Sequence, residues 1–499
     1  MAGRKVRRRV NDHKSTCMIL PVHRILYNEI ARAVQRHLGV VDVPPFSIEI
    51  PPNRALGDLA VTVAFQLART LRRPPRAIAQ DIASAVGQLP GVVRIVPAAN
   101  GYLNLYLDRG SFLIARLRNE ISTPAARTAK TIVEHTAINP NKAAHVGHLR
   151  NATLGDTLVR VLRFRGVPVE VQNYIDDLGV QVADIVVGLT ALEGRAADAI
   201  RALADTTRFD YYCWDLYAKV TEWYEENRER LSVRAATLHD LETGGNETAT
   251  IAAFVVERIV RAHLRTMARL GIVYDLLTYE GDILRLQFWA HAFEILKRTG
   301  TVFLQREGRL AGCWVMRIED PAVSQDRVEA TESRSSDDDD AEELEAREKV
   351  IVRSNGVVTY VGKDIANQFW KFGLLGRDFN YRVFTLQDDG RPLWATTSEA
   401  GDPAAPAFGR ARRIYNVIDS RQMYLQALLS QALKTLGHSE EAENSIHFSY
   451  EMVALSHQTA RELGYPIAGA SEEAAKPFVE VSGRKGLGVK IDDLLDLLV

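Results

Sequence analysis

The chain has 499 residues, 46% of them hydrophobic and 25% charged, with a formal net charge of −1. This is the composition of a folded multidomain protein, and it excludes binding to polyanions through the overall field, leaving local patches for any nucleic-acid contact. No apolar run approaches a membrane span, no signal-peptide core follows the N-terminus, and Cys17, Cys213 and Cys313 show no CxxC spacing, so a cytoplasmic protein without membrane contact, disulfide framework or structural zinc is expected.

The opening MAGRKVRRRVNDHK carries Arg4, Lys5, Arg7, Arg8 and Arg9 without an apolar face. Residues 1–18 therefore read as a basic mobile tail, with Met18 as an alternative start. From Ile19 to about Leu38 apolar residues recur at helical spacing, and Gly39 is placed to cap that helix. FSIEIPPNRALGDLAVTVAFQLARTL predicts a strand, a turn and a helix, and RAIAQDIASAV a further helix. VVRIVPAANGYLNLYL predicts two strands joined at Asn100–Gly101. Residues 19–112 thus form a small N-terminal α/β domain.

The stretch from Thr131 to Tyr174 predicts a strand over Thr131–Val133, a polar loop, a helix opening near His145 and closing at Gly166, and a strand over Val167–Val171. That is one β-α-β unit, which leaves the carboxyl end of its first strand beside the amino end of its helix, where open α/β sheets bind ligands. Helical pattern then dominates to about Leu270. For the aromatics of FDYYCWDLYAKVTEWYEE, core packing and base stacking are both open. Asp337–Asp340 and the following AEELEARE give a solvated acidic insertion. VIVRSNGVVTYVGKDIANQFWKFGLLG predicts a hairpin turning at Asn355–Gly356, then a helix capped by Gly373 or Gly376. YRVFTL and RIYNVID are strands and YLQALLSQALKTLG is a helix. Strands on both sides of a helical insertion predict one parallel sheet built from two distant halves of the sequence.

Neither GxxxxGK[ST] nor GxGxxG is present, so a nucleotide site needs other donors. His145 and His148 supply them: at a helix start their ring N–H groups, the free backbone amides and the positive end of the helix dipole point the same way. Gly147 between them has no side chain to block a base or ribose. A zinc reading of this His-x-x-His lacks a third ligand. The pair by itself leaves catalytic use and ordinary packing equally open.

The surrounding residues decide between them. HVGH matches the first signature of class I aminoacyl-tRNA synthetases, and VEHTAINPNKAAHVGHLRNA resembles the corresponding stretch of arginyl-tRNA synthetases. FSIEIPPNRALGDLAVTVAFQLA resembles that family's N-terminal additional domain, a tRNA-contacting one. NYIDDLGVQVAD, TYVGKDIANQFWKFG, NVIDSRQ and VSGRKGLGVKIDDLLD are similar to further family stretches, in order, so the resemblance runs from Ile19 to Val499.

The fold this resemblance implies is a Rossmann-like parallel-sheet catalytic domain over residues 125–470. It is interrupted by a helical insertion at about 190–270 and by a second insertion at about 300–350. The second-signature loop and a helix follow over 471–499. The implied reaction is arginine–tRNA ligation: L-arginine reacts with ATP to give arginyl-adenylate, and the arginyl group passes to tRNA-Arg. Magnesium enters only as the ATP counterion. A monomer is expected.

His145 and His148 would then stabilise charge at the phosphates, with no need for a protein nucleophile. Glu134 and Asn139 match residues around the α-amino and carboxylate end of arginine. Tyr360, Asp364 and Gln422 match the readers of its guanidinium, which a carboxylate meets bidentately. Asp364 has an ordinary alternative as the N-cap of IANQFWKFG. The second signature is represented by Val481, Ser482, Gly483, Arg484, Lys485 and Gly486, which replaces both lysine positions of the consensus. In such members a lysine before the first signature compensates, a position held here by Lys142. Ser482, Arg484 and Lys485 remain as auxiliary contacts to ATP. Ala137 and Leu178 depart from the commoner Ser and Trp. The family's anticodon-binding domain is absent from this sequence, so a catalytic core or truncated form is expected. The competing reading is a paralog that binds arginine, nucleotide or the tRNA acceptor arm without charging tRNA.

Overall fold

Leu26, Ile30 and Val34 recur every four residues and are fully buried, and that stripe makes Pro21–Leu38 a helix, α1. The computed structural model describes residues 21–118, 129–317, 348–354, 356, 358–451, 453–462, 479–480 and 488–498. The expected basic tail, the acidic segment Asp337–Asp340, Asn355 of the expected hairpin and the second-signature residues 481–487 lie outside the described residues. The chain divides into two units, Met1–Thr123 and Pro124–Val499.

In the first unit β1 (Ile48–Glu49), β2 (Leu59–Val61), β3 (Val92–Pro97) and β4 (Leu103–Leu107) form an antiparallel sheet of order β1-β2-β4-β3. Helices α1, α2 (Val63–Leu71) and α3 (Pro75–Val86) close a core of Leu26, Ile30, Leu67, Ile78, Ile82, Leu103 and Leu105. The Asn100–Gly101 turn joins β3 to β4 as the sequence predicts. Gly101 has φ +99°, and a Cβ there would stand 2.5 Å from Pro75, so the turn needs glycine both for its backbone and for the packing of α3. Arg109–Leu117 forms α4.

The second unit is organised by a seven-stranded sheet. Its strands are β5 (Thr131–Glu134), β6 (Val169–Ile175), β7 (Leu276–Tyr279), β11 (Asn380–Leu386), β12 (Pro392–Thr397), β13 (Arg413–Asp419) and β14 (Ser445–Tyr450), in the order β11-β12-β7-β6-β5-β13-β14. All neighbours are parallel except the edge pair of β11 and β12. A parallel sheet must be covered on both faces, and consecutive residues supply the two coats. Val133, Leu277, Ala395 and Val417 enter one core, while Ile132, Leu276, Trp394 and Ile414 enter the other.

The first core is closed by α5 (Val146–Phe164), α6 (Val180–Val187), α7 (Ala197–Thr206), α8 (Phe209–Glu226), α9 (Leu231–Thr243) and α10 (Glu247–Ala268). On α6 every residue from Val182 to Val187 is buried, as suits a helix surrounded by α8, α9 and α10. Asn246 caps α10 by accepting the Ala249 N–H at 2.8 Å. The second core is closed by α12 (Phe288–Arg298), α13 (Tyr360–Phe372) and α14 (Met423–Thr435), after the one-and-a-half-turn α11 (Glu280–Arg285). Phe303–Leu304, Trp314–Arg317 and Glu348–Val352 form β8, β9 and β10 of a separate antiparallel sheet.

The expected sheet from two sequence halves is present, but its strands differ from the predicted set. Strand β6 starts two residues later and runs on to Ile175. Strands β7, β12 and β14 are additional; β7 has four residues and alternation too short to register against the helices around it. Between β5 and β13 the strand order reverses, because β6 and β7 extend one way from β5 while β13 and β14 extend the other. That is the switch point at which loops from the carboxyl ends diverge and leave a crevice. Among the described residues no helix is long and apolar enough to cross a membrane.

Candidate active site

A cavity of about 1650 Å³ opens at those carboxyl ends. Its lining includes Glu134 at the end of β5, His148 of α5, Asp176 after β6, Asp364 of α13 and Gln422 after β13.

The histidine end caps itself. His145 is the N-cap of α5: its Nδ1 accepts the Gly147 N–H at 3.1 Å, and His148 Nδ1 in return accepts the His145 N–H at 3.2 Å. The two rings stack with centroids 3.6 Å apart. An Nδ1 that accepts from a backbone N–H leaves the proton of a neutral imidazole on Nε2, so each ring has its Nε2–H as a donor. Burial holds both rings neutral, lowering His145 to about 4 and His148 well below the ordinary range, with neighbouring Lys142 and His145 adding to the respective effects.

This corrects two expectations. The amides at the helix start are occupied: Val146 N–H donates to the Val489 carbonyl at 2.9 Å and His148 N–H to the His145 carbonyl at 2.8 Å. The room left by Gly147 is filled from within, since a Cβ there would stand 3.0 Å from the His145 ring. Glycine at this position therefore admits the histidine cap.

The loop between β5 and α5 is held in an uncommon backbone conformation. Thr136 and Ala137 have φ of 77° and 40°, in the left-handed region that non-glycine residues rarely occupy. Asn151 Oδ1 accepts the Thr136 N–H at 2.6 Å, Asn173 Oδ1 accepts the Ala137 N–H at 2.9 Å, and Asn151 Nδ2 donates to the Val417 carbonyl at 2.7 Å. These bonds from α5 and β6, together with the tie to β13, fix the turn that aims Glu134 and Asn139 into the cavity. The Asn139 amide donates to Gln181 at 2.9 Å.

The far end of the cavity is acidic. Lys371, buried on α13, pairs with Glu134 at 2.7 Å and donates to Asn416 at 3.3 Å. Lys363 pairs with Glu280, which also accepts the Tyr174 hydroxyl at 2.9 Å. Glu134, Asp176, Glu280 and Asp364 thus face two lysines, a formal excess of two carboxylates on this floor. The excess shows in their protonation. Burial first, and then Glu280, pushes Asp176 up to about 7, and burial with Glu280 and Glu134 raises Asp364 well above the usual carboxylate range. One Asp176 oxygen is buried without a hydrogen-bond partner. Such a floor suits a cation with several N–H donors.

Asp364 is not a helix cap. Helix α13 opens at Tyr360 with Thr359 as its N-cap, which puts Asp364 one turn inside and on the cavity side. Gly362 hides this start in the sequence; a Cβ there would stand 2.8 Å from the Trp289 ring, so close packing of α13 on α12 requires it. Tyr360 is the first residue of α13, and its side chain lies outside the described residues, as do Ser482, Arg484 and Lys485. Gln422 ends a 3-10 turn from Ser420 and is exposed at the rim.

Lys142 stands behind the histidines instead of lining the cavity. Its ammonium is 4.6 Å from the centre of the Trp214 ring and 4.5 Å from that of Tyr217, and burial lowers it to about 8. The segment after the second-signature loop closes over this end, with Lys490 paired to His145 as a β-bridge and Ile491 N–H donating to the Ala144 carbonyl at 2.9 Å. Sequence reasoning did not single out Tyr174, Asp176, Glu280, Lys363, Lys371 or Trp214. Tyr174, Asp176, Lys363 and Lys371 carried a usable signal, since they lie within stretches that resemble the family.

Comparison with known proteins identifies the family. Residues 24–107 match the family described as arginyl tRNA synthetase N terminal domain, and residues 113–374 match tRNA synthetases class I (R), catalytic domain. An arginine–tRNA ligase of Thermococcus kodakarensis is 35% identical over 461 residues, covering 89% of this chain and 65% of that protein. One of Deinococcus radiodurans is 34% identical over 450 residues, covering 90% of this chain and 64% of that protein. The solved Thermus thermophilus arginyl-tRNA synthetase superposes with a TM-score of 0.69 at 31% identity, covering 95% of this chain and 69% of the other. The chain therefore spans somewhat less than two thirds of the first two relatives.

Proposed function

The chain belongs to the arginyl-tRNA synthetase family, and from that premise we propose that it activates L-arginine with ATP and transfers the arginyl group to tRNA-Arg. The observation that carries this reading is the acidic floor around Asp364, which shares one cavity with the His148 end of α5.

Arginine brings two positive charges, one at each end. Asp364 receives the guanidinium bidentately, with Tyr360 and Gln422 as further side-chain contacts, and Glu134 and Asn139 hold the α-amino and carboxylate end. The arginine carboxylate oxygen attacks the α-phosphorus of ATP; the new P–O bond forms as the bond to the bridging oxygen breaks, and pyrophosphate leaves with the charge. No proton is taken up in this step. What it needs is alignment and stabilisation of charge on the phosphate, supplied by the Nε2–H donors of His145 and His148 and by the cations Lys142, Arg484 and Lys485, with Ser482 as an auxiliary contact. Magnesium accompanies ATP as its counterion. In the second step a ribose hydroxyl of tRNA-Arg attacks the arginyl carbonyl, AMP leaves, and the hydroxyl proton passes to AMP or solvent. We further propose a cytoplasmic monomer.

Arginine-dependent exchange of pyrophosphate into ATP, measured with and without tRNA-Arg, tests this reading. Exchange that requires arginine supports it. Its absence under both conditions would leave only a binding function.

A further inference from the structure

Strand parity brings three groups to one point. On β5 and β13 the residues Ile132 and Ile414 enter the second core, and two places further along each strand stand Glu134 and Asn416, opposite one another in the parallel register. The apolar coat thus ends in a polar pair where the strands reach the crevice. Helix α13 lies over this face and sends Lys371 to both: its ammonium is 2.7 Å from Glu134 Oε2 and donates to Asn416 Oδ1 at 3.3 Å. The lysine is 2% exposed, its backbone carbonyl accepts the Ala411 N–H at 2.9 Å, and Asn416 is held in turn by donating to Gln426 Oε1 at 3.0 Å.

A buried ammonium is costly unless it is paired. Lys371 is paired, yet it leaves Glu134 Oε2 without a hydrogen bond, because it approaches that oxygen outside the hydrogen-bonding directions. A carboxylate accepts at about four positions, so Glu134 has a counter-charge and keeps acceptor positions for a second donor. Both residues line the cavity. Burial and the neighbouring carboxylates raise Asp364, and Lys371 opposes them, so the ammonium is felt at the guanidinium end as well.

We propose that Lys371 is a positioning residue for the α-amino group of arginine: it aims the Glu134 carboxylate into the cavity and supplies its counter-charge. The pair thereby makes the site prefer an amino acid to a guanidinium compound that lacks the α-amino group. This rests on the reading given above that Glu134 meets the α-amino end.

The full chain is titrated calorimetrically with L-arginine and with desamino-arginine, which lacks the α-amino group. The ratio of the two affinities reads the Glu134 end, since a change at the Asp364 end alters both ligands alike. Lys371→Met should lower the preference for arginine about tenfold, the size of one charge-assisted hydrogen bond. Asn416→Asp keeps the lysine and sets a competing carboxylate beside it, and should lower the preference by a smaller factor. Glu134→Gln should lower it as far as Lys371→Met does, and joining the two substitutions should lower it no further. An unchanged preference in Lys371→Met, with both ligands weakened alike, makes the lysine structural and overturns the proposal, as does a loss that simply adds in the double variant. Where Lys371→Met shows no cooperative unfolding transition, Asn416→Asp decides, and an unchanged preference there overturns the proposal. If Glu134→Gln keeps the full preference, or the unaltered chain has none, the reading of Glu134 falls and the proposal with it.

Discussion

The two ends of the cavity are built on opposite principles. The histidine end comes from one contiguous stretch, Thr136 to Asn151, in which two rings cap each other's backbone and Asn151 holds the strained turn at Thr136. Its ring pair is neutral and capped from within the stretch itself. The acidic end gathers Glu134, Asp176, Glu280, Lys363, Asp364 and Lys371 from four places along the chain and remains electrostatically unbalanced. Rate enhancement by aligned donors favours the first design, since donors that do not reorganise stabilise a transition state best. Selection of a cation favours the second, since a floor that is costly when empty discriminates strongly for the charge that completes it.

The largest expected effect tests the acidic end. Asp364→Asn keeps the shape and removes a charge, and arginine affinity should fall by roughly 3–5 kcal/mol, the range for breaking a buried ion pair. ATP affinity should stay within about twofold, because the histidine end is assembled independently. Calorimetric titration with each ligand checks both. Unchanged arginine affinity would remove Asp364 from the site, and an equal loss for ATP would mean that the two ends are not separable.

A smaller loss is expected at the other end. His148→Ala removes one Nε2–H donor and half of the mutual cap, so adenylate formation should fall by about 10²–10³ in kcat with arginine binding little changed. Single-turnover measurement of adenylate gives the first quantity and calorimetry the second. Since His148 also satisfies the His145 N–H, thermal unfolding should show a loss of about 1 kcal/mol of cap energy. A loss of arginine binding equal to that of turnover would make His148 structural.

The same contrast explains how much the sequence revealed. The histidine end was legible because its parts are neighbours: a strand, a polar loop and a helix start lie within twenty residues, and the four residues His145 to His148 carry both cap and donors. Its inner bonding was not legible. That Gly147 makes room for a ring, and that the amides are already used, depends on rotamers no spacing reveals. At the acidic end Asp364 could be named through family resemblance, but its partners could not. Glu280 follows β7, a strand of four residues whose place between β6 and β12 is set by the sheet and not by any local period. Lys371 is fully buried on a face of α13 where charge is not expected. The rest of the fold follows the same division: helices with a four-residue stripe were predicted well, as was β5 beside its polar loop, while β7, β12 and β14 were missed.

The smallest effect is the most specific to the imbalance. Asp176, facing Glu280, Lys363, Asp177 and Asp364, is raised to about 7 in the empty site, and an arriving cation favours its ionised form. Arginine binding should therefore release a proton, and affinity should tighten by about tenfold from pH 6 to pH 8, the contribution of one group that titrates at about 7 and is ionised in the complex. His145, lowered to about 4, stays neutral throughout and adds no slope. The empty protein should show the reverse trend. A carboxylate raised in the folded state gives stability that is full below its unfolded value of 3.8 and is lost as pH rises through 7, so Tm without arginine should fall between pH 6.5 and pH 8. Saturating arginine should remove that fall. Calorimetry in buffers of different ionisation enthalpy counts the released proton, and Asp176→Asn should abolish both the release and the slope. If the slope survives that substitution unchanged, the proton belongs to Asp364, and the imbalance is not centred on Asp176.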